Sequence, residues 1–151
     1  MIRITLLEDT IGNELARLQS LATPAQLGRL ALSIARVVRR AGDDAFRVSG
    51  APYAPWAPRK DKTKTHRLLQ LSTALRKSLV AVAQGSGAAV VSDRTYARFH
   101  QMGTKHMQAR PFIPVDQDGR LADGVAERVN AAIRIRIDSL RKGATGQTDQ
   151  A

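Results

Sequence analysis

The six prolines of this chain sit in three places, and those places decide where regular structure can run. Proline fixes its own φ and offers no N–H, so it is harmless at a helix start but disrupts a helix interior or a central strand. Pro24 falls within Thr23-Pro24-Ala25-Gln26, which reads as a capping box with proline at the first helical position. From there Leu27, Leu30, Ala31, Ile34, Val37, Val38, Ala41 and Ala45 keep helical spacing, predicting one long helix to about residue 47. Arg29, Arg36 and Arg40 lie mainly on its other side. They read as a binding surface or simply as a solvated helix face.

Pro52, Pro55 and Pro58 recur every third residue and predict an extended loop over 50–67, with Tyr53 and Trp56 as aromatic anchors. Its second half carries Arg59, Lys60, Lys62, Lys64 and Arg67 against Asp61 alone, a net +4 over nine positions. A loop of this length in a small domain is more often functional than decorative. A flexible excursion is the plainer alternative.

The remaining pattern is mixed. Ile2, Ile4 and Leu6 alternate like a short strand, and Ile11, Leu15, Leu18 and Leu21 mark a helix over 10–21. Leu68, Leu71 and Leu75 predict a short helix over 68–76. Strands over 77–84 and 88–93 then flank Gly85-Ser86-Gly87, whose glycines suit a tight turn. Tyr96 to Met102 forms a helical turn closed by Gly103. Pro111 and Pro114 confine 107–115 to an edge strand or extended arm. Leu121, Val125, Val129, Ile133, Ile137 and Leu140 outline a last helix over 119–141, although Ile133-Arg134-Ile135-Arg136-Ile137 also alternates like a strand. The sum is an α+β class: an antiparallel sheet of about four strands packed by two or three helices. One domain is expected over 1–142, with a disordered tail over 143–151.

Composition narrows the chemistry. The 151 residues contain no cysteine, which excludes disulfides, thiolate metal sites and a cysteine nucleophile. No apolar run is long enough to span a bilayer and the start does not read as a secretory signal, so neither a membrane nor export is expected. His66, His100 and His106 lack HExxH or any tight ligand spacing, so no metal is expected. There is no GxSxG, and Gly85-Ser86-Gly87 lacks the phosphate-loop lysine. Asp43 and Asp44 are neighbours that diverge by about 100° on a helix, a poor acid–base pair and a better charge balance. No catalytic site, cofactor or small-molecule substrate is therefore expected. The 24 Lys and Arg outweigh 13 Asp and Glu by 11, so phosphates and acidic proteins are attractive partners.

Four segments in fixed order carry more information than the charge: Pro55-Trp56-Ala57-Pro58, then 68–78 (LLQLSTALRKS), then Tyr96-Ala97-Arg98-Phe99-His100-Gln101-Met102-Gly103, then Ala109-Arg110-Pro111-Phe112-Ile113-Pro114. Residues 51–115 so composed resemble the tail-completion, or virion-morphogenesis, family of tailed bacteriophages, known from Mu-like and P2-like phages. One departure stands out. The family usually has Thr-Gly-x-Leu where this chain has Ser72-Thr73-Ala74-Leu75.

The resemblance implies a non-enzymatic α+β subunit of the virion's tail or neck, assembled in the host cytoplasm into a ring, with six copies as one candidate number. Such a subunit acts late, making a finished tail competent to join a DNA-filled head, and its partners are its own copies and other tail and neck proteins. Tyr96, His100, Gln101, Gly103, Arg110, Pro111 and Phe112 then become candidate interface residues, or packing residues of the fold. Arg110 pairs across subunits or braces a local carboxylate such as Asp116 or Asp93. Arg59, Lys60, Lys62, Lys64 and Arg67 become candidate contacts to DNA or an acidic neighbour. The rival reading is a non-specific DNA-binding protein acting through an arginine-rich surface.

Overall fold

The computed structural model describes residues 22–50, 55–58, 60–69, 72–116, 118 and 120–145. The expected strand at 2–6 and helix at 10–21 lie outside them, as do Tyr53 and Arg59.

Helix α1, Pro24–Arg47, starts where the capping box places it. The Thr23 hydroxyl accepts from the Gln26 N–H at 3.3 Å, and the Gln26 side chain accepts from the Thr23 N–H at 2.8 Å. Leu30, Ile34, Val38, Ala41 and Ala45 are buried along its inner face, while Arg29, Arg36 and Arg40 are exposed. The helix packs on both strands of a hairpin and on the last helix. Asp43 and Asp44 are tied down by charge: Asp43 pairs with Arg39 at 3.4 Å and Arg76 at 3.3 Å, and Asp44 with Arg128 at 3.7 Å.

A single turn, α2 over Ala74–Lys77, precedes the hairpin of β1, Val80–Gln84, and β2, Gly87–Val91. The strands are antiparallel with Val80 opposite Val91 and Gln84 opposite Gly87, leaving Gly85-Ser86 as the turn. Gly85 takes φ +59, as the sequence demands of it. α2 is shorter than the predicted 68–76, because Leu69 and Thr73 both adopt left-handed backbone, at φ 57 and 54. Thr73 is the position at which the resembled family usually places glycine.

Helix α3, Ala97–Met102, ends at Gly103. The last helix, α4, runs Asp123–Thr145, with Val125, Val129, Ile133 and Ile137 buried four residues apart. Its length outweighs the local alternation, and Ile135 is 71% exposed on the outer face. It starts later than the predicted 119, since Leu121 bridges to Val115 and the Ala122 N–H donates to the Pro114 carbonyl. It also continues through Gly143, where a disordered tail was expected, to Thr145.

The class is α+β, but the described residues hold two strands, not about four. The expected arm or edge strand at 107–115 forms no strand; only isolated bridges, Thr104 to Met107 and Val115 to Leu121, flank it. Two prolines deprive it of ladder donors, and a side chain takes the place of a neighbouring strand, as described next.

Candidate association surface

Gln101 is the buried polar side chain among the described residues, 5% exposed, and it faces the backbone of the proline-bounded segment. Its Oε1 accepts from the N–H groups of Phe112 and Ile113, both at 3.0 Å, and its Nε2 donates to the Ile113 carbonyl at 2.9 Å. One amide thus satisfies three backbone groups that a neighbouring strand would otherwise pair. That contact holds Phe112 and Ile113 in the core, where they are 0% and 1% exposed. Phe112 lies 5.3 Å from the Phe46 ring, which meets Trp56 edge-on at 5.5 Å.

Trp56 is buried and anchors the proline-rich loop: its Nε1 donates to the Pro111 carbonyl at 2.7 Å. Arg110 holds the same loop from another side. Its Nε and Nη2 both donate to the Ala57 carbonyl at 3.3 Å, while its own N–H donates to the His100 carbonyl at 2.7 Å. The expected brace from Arg110 to Asp116 or Asp93 is absent among the described residues. Asp93 pairs with Arg94 at 3.2 Å, and Asp116 accepts from the N–H groups of Asp118 and Arg120.

Gly103 closes the knot. At φ 76 and ψ 178 it occupies backbone space open essentially to glycine alone, and a Cβ there would lie 2.9 Å from the Ala109 nitrogen. Trp56, Gln101, Gly103, Arg110, Pro111 and Phe112, scattered over more than fifty positions of sequence, therefore meet in one place.

His100 sits beside this knot, half-buried, with its ring 5.9 Å from that of Tyr96. Burial, and then the Arg110 guanidinium, push its pKa below the ordinary imidazole value, so it stays neutral at pH 7. His66, Leu69, Ser72, Leu75, Tyr96 and His100 line a hollow of about 260 Å³ between the loop and α3.

The outer face of α3 is of a different character. Tyr96, Phe99 and Met102 are 39%, 47% and 58% exposed, half of the large hydrophobic residues exposed in the described structure. Steps of three place them within an arc of about 120°, opposite buried Ala97 and Gln101. The sequence reading named Tyr96 and passed over Phe99 and Met102; their spacing against Ala97 and Gln101 was the available signal. Lys60, Lys62, Lys64 and Arg67 are all exposed on the loop. The loop tip is ordered by Asp61, whose Oδ1 accepts from the Thr63 N–H at 3.0 Å and its hydroxyl at 2.6 Å, and Arg67 reaches the Arg47 carbonyl at 3.4 Å.

No group of His, Cys, Asp and Glu among the described residues is arranged to hold a metal ion, and no helix among them is long and apolar enough to cross a membrane. Compared with known proteins, residues 8–135 match the sequence model of the phage virion morphogenesis family. Neither a curated protein nor a solved structure matches the chain.

Proposed function

The chain belongs to the phage virion morphogenesis family, and from that premise we propose that it is a structural, non-catalytic subunit that forms a ring at the head-proximal end of the tail and makes it competent for joining to the head. The observation that carries this reading is the outward stripe Tyr96, Phe99 and Met102, mounted on a helix whose inner face is locked by Gln101. Exposed aromatic and methionine side chains concentrated on one rigid element are the composition of an association surface, not of a solvated one. A ring repeats one contact around an axis and covers that surface in every copy.

The exposed cations of the loop complement this role. Their position on an ordered turn lets Lys60, Lys62 and Lys64 meet carboxylates of a neighbouring ring or phosphates of the DNA path. Binding through them weakens as salt rises.

Tails assembled without this chain supply the test. Adding the purified protein restores joining to DNA-filled heads, and the triple variant Lys60→Glu, Lys62→Glu, Lys64→Glu restores it less well. Joining that proceeds equally well with and without the protein would refute the proposal.

A further inference from the structure

In a ring two faces of neighbouring copies meet, and unlike charge around an apolar contact marks a pair of faces suited to this. We propose that the α3 stripe of one copy docks into an acid-rimmed groove on the next, a head-to-tail contact between two different faces of the same chain; this rests on the ring proposed above.

The groove, of about 690 Å³, adjoins the knot at Pro111 and Phe112, and Pro114, Val115, Leu121 and Ala122 complete its apolar walls. Asp116 and Asp123 line it together with Arg120, and the exposed Asp118 and Glu127 are their near neighbours in sequence. Over 116–128 four carboxylates against Arg120 and Arg128, the latter paired with Asp44 at 3.7 Å, give −2, in a chain whose total is +11. The α3 region is its counterpart. Over 93–106 Arg94, Arg98 and Lys105 against Asp93, which pairs with Arg94 at 3.2 Å, give +2, around an apolar centre of Tyr96, Phe99 and Met102.

Two copies at +11 repel each other, so self-association requires a place where unlike charges face one another around an apolar contact. These two patches satisfy that requirement and share no residue, so each copy offers both. A surface that pairs with a different surface on its neighbour propagates around an axis, and where the rotation from copy to copy divides a full turn it closes as a ring.

Charge reversal tests the pairing. One variant carries Arg98→Glu and Lys105→Glu, the other Asp118→Lys and Asp123→Lys; all four positions are exposed, and thermal unfolding checks that both variants fold. Each alone assembles on tails at least about tenfold less than the unaltered protein. An equimolar mixture recovers assembly, because the acidic stripe of the first matches the basic rim of the second, and the two unaltered faces match as well. Variants that assemble normally alone, or a mixture that stays as poor as its components, overturn the two-face contact while leaving the ring intact. An unaltered chain that never self-associates on tails removes the ring and this contact together.

Discussion

Replacing Gln101 by leucine strips partners from three backbone groups at once, the N–H groups of Phe112 and Ile113 and the Ile113 carbonyl. Each buried polar group left unpaired costs on the order of 1–3 kcal/mol, so Gln101→Leu is expected to lose about 3 kcal/mol or more, read as a lower denaturant midpoint. Thr73 works in the opposite direction. Its φ of 54 strains a β-branched residue, so Thr73→Gly is expected to gain roughly 1 kcal/mol in the same assay, restoring the residue usual in the family. Because the folded-state pKa of His100 is depressed, the unfolded chain binds its proton first as pH falls. Stability attributable to it is full above about 6.5, the unfolded value, and declines below that towards the folded value. His100→Gln flattens the slope of stability against pH in that window, and an unchanged slope would show that His100 does not contribute it. The sequence pointed to these positions without revealing their roles. Gln101 reads as a polar residue on a short helix, and only the fold shows that its amide stands in for a strand.

At the scale of elements, legibility followed the range of the forces involved. The start of α1 was readable to the residue, since Thr23, Pro24 and Gln26 settle it within one turn of chain. The hairpin turn at Gly85-Ser86 was readable for the same reason. The 107–115 segment was not, because its conformation is set by Gln101 and Trp56 from distant parts of the chain, and no periodicity records such a contact. The start of α4 moved from 119 to 123 through the Val115–Leu121 bridge, a local turn that helical periodicity does not record. Where α3 ends, the local signal and the tertiary need coincide at Gly103. Gly103→Ala combines a forbidden backbone region with a Cβ against the 109 backbone, and is expected to lower stability by at least about 1–3 kcal/mol in thermal unfolding.

For the molecule as a whole, the motif residues divide into two kinds of work. Trp56, Gln101, Gly103, Arg110 and Phe112 face inward and fix the mutual position of loop, α3 and the 109–114 segment. What this frame presents outward is an apolar stripe, an acid-rimmed groove and a basic loop, three surfaces suited to other macromolecules. Family membership fixes the setting as phage virion assembly, and the ring is our account of how those surfaces are used. Electron cryomicroscopy of the head-proximal tail end, compared with and without the protein, tests it most directly. The account predicts a closed ring of density that appears only with the protein, in which α3 of every copy is covered by its neighbour. Tail ends of identical density in the two preparations, or copies bound singly with α3 facing solvent, would contradict it.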